Sequence, residues 1–187
     1  MSFLPKEKQK LILDFILKRI PLDLFLIKFP AKEETIHSLI LNMLKESLIR
    51  KDPEGVDFGI MLMFRFGIKK DFLELLNTLA EEPWHKKHED IVSALDELKD
   101  PSSVGPLSKT ILATYPYLEL GDSDSLAKNS IYALKKIGTP EAVQKLGELA
   151  QSENAVLRST ATGRLKDLAK KGESDAIRNL AQSYLAP

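Results

Sequence analysis

Residues 133–146 read "ALKKIGTPEAVQKL", and in this stretch one helix stops and another starts with two residues between them. Ile131, Leu134 and Ile137 recur at helical spacing and form one apolar stripe. Gly138 suits the position after a helix, where a left-handed backbone carries no Cβ penalty. Thr139 can cap the next helix through its hydroxyl, and Pro140 fits its first position, where no amide donor is needed. Val143, Leu146, Leu149 and Ala150 supply the second apolar face. So short a link sets the two helices side by side and antiparallel.

The design recurs 39 residues earlier in "ALDELKDPSSVGPL". Ala94, Leu95, Leu98, Pro101, Val104 and Leu107 align without a gap on Ala133, Leu134, Ile137, Pro140, Val143 and Leu146, with Asp100 as the cap in place of Thr139. A third copy runs through "RLKDLAKKGESDAIRNL", where Leu165, Leu168, Ile177 and Leu180 take the corresponding places after a short insertion. A looser copy is "MFRFGIKKDFLELL". Hairpins recurring at such spacing predict a helical array.

The pattern resembles HEAT-type repeats, particularly short bacterial ones, over about residues 54–185. It does so best within 123–171, in "SLAKNSIYALKKIGTPEAVQKLGELAQSENAVLRSTATGRLKDLA". Lys128 and Arg158 stand where such repeats often carry a basic residue in their first helix. The insertion "TYPYLELGDSD" and the Met/Phe-rich first copy depart from the family pattern. The resemblance implies an all-α fold, a right-handed α-α superhelix (HEAT-like solenoid) of about four hairpins. It implies a binding habit and transfers no catalytic residue.

The expected organisation is one domain over 1–187, with repeats over 53–187 and an N-terminal helical cap over 1–52. The cap would seal the open end of the array. Leu11, Ile12, Phe15 and Ile16 form one of its stripes, and Ile36, Leu39, Ile40, Met43, Leu44 and Leu48 another. Between them "IPLDLFLIKFP" is fenced by Pro21 and Pro30. Its Leu22, Phe25 and Phe29 are either core or an exposed ridge for a partner. The final "NLAQSYLAP" carries a Leu/Ala/Tyr stripe that packs inward or pairs with another molecule.

Composition narrows the function. The 187 residues hold 27 basic and 27 acidic side chains, and a chain that neutralises phosphates usually has a basic excess, which counts against nucleic acid. The absence of cysteine excludes disulfides and thiolate chemistry. The apolar start is broken by Asp14 and closed by Lys18–Arg19, unlike a signal peptide, and the apolar run after Pro21 is too short to span a bilayer. A soluble, cytoplasmic protein with no membrane partner is expected.

The chemistry-bearing motifs are sparse. His85 and His88 stand three apart in "WHKKHED", but the consecutive Glu89 and Asp90 diverge by about 100° on a helix. A first helical turn rich in acids explains them without a metal. The paired carboxylates at 33–34, 81–82 and 96–97 lie in polar stretches, and no phosphate loop, nucleophile elbow or dinucleotide fingerprint occurs. No cofactor, metal site or enzymatic activity is expected.

Charge is uneven, however: residues 81–124 hold ten acidic side chains and four basic ones. In a repeat array the loops "EEPWHKKHED" and "YPYLELGDSDS" share an edge. Trp84, His88, Glu89 and Asp90 would then approach Tyr115, Tyr117, Asp122 and Asp124. Aromatics rimmed by carboxylates suit a protein-binding hot spot, and an acidic edge favours a basic partner. The plain alternative is that the aromatics plug gaps between repeats. The leading expectation is a non-enzymatic protein-binding scaffold, similar in size and layout to immunity proteins that neutralise a toxin. Alternatives by resemblance are a DNA-binding protein of the HEAT-like alkylpurine DNA glycosylase type, and a bilin-lyase-like protein. The sequence leaves the oligomeric state open.

Overall fold

The structure, a computed structural model, describes residues 2–29, 35–118 and 120–186, with the backbone alone over 120–123. The regular secondary structure of the described residues is helical, with no strand among them. They divide into two compact units: residues 1–75 with 82–87, and residues 76–81 with 88–187.

The first unit contains α1 (Lys6–Ile16), α2 (Leu22–Lys28), α3 (Ile36–Arg50) and α4 (Pro53–Phe66). Helices α3 and α4 form a hairpin, and α1 packs on both α2 and α4. The run over 22–29 enters the core: Phe25 is 0% exposed and Phe29 2%. Phe25 stacks on Phe15 at 4.2 Å between ring centres and on Phe29 at 5.0 Å. Phe66 joins from the end of α4, 5.5 Å from Phe15. Hence α2 presents Ile27 to solvent and keeps its aromatic face inside.

Helix α5 (Leu73–Ala80) crosses the division between the units. The second unit continues with α6 (His88–Leu98), α7 (Val104–Leu112), α8 (Leu120–Ile137), α9 (Pro140–Leu149), α10 (Ala155–Lys171) and α11 (Asp175–Ser183). Within it α8 packs on α6, α7, α9 and α10, while α9 packs on α7, α10 and α11. Most apolar positions that align in sequence are interior: Leu95, Val104, Leu107, Leu134, Val143, Leu146 and Leu165 are 0% exposed, while Leu98, Ile137 and Leu180 are half-buried. The C-terminal stripe turns inward as well, with the ring of Tyr184 lying over Gly147 on α9.

Three elbows share one three-residue construction. Gly138 has φ +63°, the Thr139 hydroxyl accepts from the Ala142 amide at 3.3 Å, and Pro140 opens α9. Lys99 has φ +51°, the Asp100 carboxylate accepts from the Ser102 amide at 3.1 Å, and Pro101 opens a short 3-10 turn into α7. Lys51 has φ +50°, Asp52 follows with an extended backbone, and Pro53 opens α4. Each elbow is a left-handed residue, an extended Asp or Thr and a proline, and at Asp100 and Thr139 the side chain caps the following turn. Lysine fills the left-handed place twice, at a steric cost that glycine avoids.

At the first elbow Asp52 also anchors the chain's beginning. Its Oδ2 accepts from the Ser2 hydroxyl at 2.7 Å and from the Phe3 amide at 3.0 Å. Burial would raise this carboxyl's pKa. Hydrogen bonds from Ser2 and from the amides of Gly55, Phe3 and Glu54 outweigh burial and hold it below the ordinary value. A depressed folded pKa means stability that is present above the unfolded value of 3.8 and is lost as pH falls through the folded one. Asp52→Ala is expected to cost about 1–2 kcal/mol at pH 7, in line with losing the hydrogen bonds that Ser2 and Phe3 make to this carboxylate. Hydrogen exchange should then show the Phe3 amide unprotected, and the difference from wild type should shrink in urea titrations below pH 4.

Candidate functional site

The sequence-predicted site residues fall into separate environments. Trp84, in residues 82–87 of the first unit, is half-buried; its Nε1 donates to Glu82 Oε2 at 2.6 Å, and its ring meets His85 edge-on at 5.2 Å. His85 is buried, and its Nδ1 accepts from the Lys87 amide at 3.1 Å. Both side chains stabilise the loop that carries them.

In the second unit the structure brings His88, Tyr115 and Tyr117 together. His88 is the first residue of α6 and is 0% exposed. Its ring lies 3.7 Å from that of Tyr115, and its Nδ1 is 2.7 Å from the Tyr117 hydroxyl. The Tyr115 hydroxyl donates to the Ala80 carbonyl at 3.2 Å, an acceptor shared with Thr110. These contacts tie the segment after α7 to the start of α6 and the end of α5. Two of the expected docking residues, His88 and Tyr115, therefore offer no surface. Their role in the fold is to plug the space between helices.

Burial, countered by hydrogen bonding to His88 and reinforced by Tyr115, Glu89 and Asp90, pushes the Tyr117 phenol up to about 12. Burial also raises Tyr115, with its Thr110 hydrogen bond opposing and Glu81 adding to the rise. A phenol so placed stays protonated at neutral pH. Because the folded pKa is raised, the stability it contributes is complete below pH 10 and is lost as pH climbs towards 12. Tyr117→Phe is expected to cost about 1–2 kcal/mol at pH 7 by taking this partner from His88 Nδ1. Urea midpoints should show the gap to wild type closing between pH 10 and 12.

The remaining expected residues are acidic. Glu89 is exposed, and Asp90 and Asp124 are half-buried. The Asp122 side chain lies outside the described residues. Among the described residues no group of three or more His, Asp or Glu side chains could hold a metal ion. No helix among them is long and apolar enough to cross a membrane.

One open feature of the second unit lies between α6 and α8, a groove of about 330 Å³. Helix α6 lines it with Glu89, Val92, Ser93 and Asp96, residues spaced three, four and seven apart and so on one helical face. Helix α8 faces them with Asn129, Tyr132 and Lys136. Tyr132 is 43% exposed, although it sits between the buried Ile131 and Ala133. The Arg164 guanidinium of α10 lies over its ring, 4.2 Å from the centre. Lys136 pairs with Asp96 Oδ2 across the groove. Asp96 Oδ1 is shielded from solvent and has no hydrogen-bond partner among the described residues.

Of these groove residues, sequence reasoning singled out Glu89 for the site and missed Tyr132, Asp96 and Lys136. Two signals were present. Tyr132 is an aromatic one step off the apolar stripe of its helix, facing away from the core. Asp96 and Lys136 stand 40 residues apart, one more than the repeat spacing, so equivalent helices bring them side by side. Compared with known proteins, the chain matches no family model and no curated protein.

Proposed function

We propose that this chain is a non-enzymatic binding protein, a HEAT-like helical-repeat scaffold that docks a protein partner with a basic surface. The observation that carries the reading is the groove between α6 and α8, which combines exposed carboxylate, aromatic and amide groups on two packed helices. Such mixed surfaces suit protein recognition, in which an aromatic anchor supplies contact area and charge steers the encounter. The repeat reading draws support from the second unit's packing: α8 touches α6 and α10, and α9 touches α7 and α11. First helices thus meet first helices and second helices meet second helices, as stacked hairpins require. An immunity-type inhibitor of a basic toxin is the narrower form of this proposal.

The test is affinity capture from the native host with wild type and with a Glu89→Lys, Tyr132→Ala double variant, run in parallel. A basic protein retained by wild type, lost by the variant and re-bound when both purified components are mixed would support the reading. Absence of any stoichiometric protein partner, with a small molecule turned over instead, would overturn it.

A further inference from the structure

The geometry points to an arginine side chain of the partner as the ligand of the groove between α6 and α8, with Lys136 acting as a built-in cation that this arginine displaces. The inference rests on the binding-protein reading and names the chemistry by which the partner is recognised.

The groove has the parts that a guanidinium needs. The exposed Tyr132 ring gives an aromatic wall for the flat face of the group, and the buried Val92 closes the base of the groove. Glu89 and Asp96 supply carboxylates on the α6 side, and Ser93 and Asn129 supply neutral acceptors. Arg164 covers one face of this ring, and Tyr132 still keeps 43% of its surface exposed for a second contact. Arginine is better suited than lysine to such a wall because its planar cation stacks and is weakly hydrated.

Asp96 tells against Lys136 as the best occupant. Its side chain is 26% exposed, and the ammonium satisfies Oδ2 while Oδ1 stays without a donor. An ammonium is a point charge, whereas a guanidinium is a fork that can serve both oxygens of one carboxylate. A buried acceptor left unmade is costly, and a ligand that satisfies it gains by that amount. Lys136 is 44% exposed on a flexible stem, so it can leave for water without disturbing α8. Its presence neutralises Asp96 while the groove is empty.

The probes are the capped tripeptides Gly-Arg-Gly, Gly-Lys-Gly and Gly-citrulline-Gly, titrated at low salt into isotopically labelled protein. The amide signals of Ser93 and Asn129 give the readout. Saturable shifts with the arginine peptide, at least tenfold weaker with lysine and absent with citrulline, are expected. Lys136→Met should tighten arginine binding threefold or more by removing the competitor. Asp96→Asn should weaken it at least tenfold while the rest of the spectrum stays that of the folded protein. Equal response to citrulline, or no saturation by the arginine peptide even in Lys136→Met, would overturn the proposal. A reconstituted partner whose affinity is unchanged by Asp96→Asn would overturn it too, yet leave the binding-protein reading standing. A chain without a protein partner would remove that wider reading, and the peptide titration would still decide the groove.

Discussion

Phe25→Ala is expected to destabilise the protein by about 3–5 kcal/mol, the range for a fully buried phenylalanine cut back to a methyl. The side chain is 0% exposed and touches two aromatic neighbours, Phe15 and Phe29, with Phe66 at 6.2 Å. Removing it leaves a void walled by rings that cannot easily collapse, because each is held by a different part of the chain. Phe15 is fixed on α1 with Arg65 over its face, and Phe66 ends α4. The control is on the same helix: Ile27→Ala, at a residue 77% exposed, should change stability by less than about 0.5 kcal/mol. Urea unfolding of both variants measures the contrast. Equal, small losses would mean that α2 is held loosely and that its aromatic face is free for other duties.

A second contrast uses two helix glycines. Gly59 on α4 lies where a Cβ would fall 2.4 Å from Leu44 Cδ2 and 2.7 Å from its Cγ. Gly147 on α9 faces an equally close neighbour, with Tyr184 Cδ1 at 2.4 Å. Helix propensity favours alanine over glycine by about 1 kcal/mol at either site. The neighbours decide the outcome. Leu44 is 0% exposed inside the α3–α4 hairpin, so its branched end has nowhere to go. Tyr184 is half-buried just beyond α11, and its ring can swing outward. Gly59→Ala is therefore expected to lose about 2 kcal/mol net, from an overpacking cost of about 1–3 kcal/mol plus backbone displacement. Gly147→Ala should stay within about 0.5 kcal/mol of wild type as the propensity gain offsets the displaced ring. Thermal or urea denaturation gives the stabilities, and tyrosine accessibility to solvent quenchers should rise in Gly147→Ala.

The helical hairpins were legible in the sequence because their instructions are local. Gly138, Thr139 and Pro140 each act on the backbone within a few residues, so the turn follows from their chemistry without knowledge of the rest of the fold. The alignment of Leu95 with Leu134, or Val104 with Val143, carried the interior positions for the same reason. The elbows at Lys51 and Lys99 were half legible: the Asp-Pro pair marks a helix start, but a left-handed lysine has no signature of its own. The candidate site was harder. Tyrosine and histidine have apolar bodies and polar tips, so the pattern that reads as an exposed rim also describes His88 and Tyr115 buried with hydrogen bonds satisfied. Which of the two holds depends on how closely α5, α6 and the segment after α7 approach, and no local residue encodes that distance. The groove depends on the same long-range placement, through Asp96 and Lys136 on different helices.

The three elbows carry a consequence for how such a molecule can change. Each turn is dictated by a triplet confined to the bend, at residues 51–53, 99–101 and 138–140. The side chains that face outward along the rods contribute nothing to that instruction. Outer surfaces can thus be rewritten wholesale, charge for charge or ring for aliphatic, while the corners keep folding the chain in the same way. A molecule so built can acquire a new exterior by repainting its walls, with its frame left as it stands.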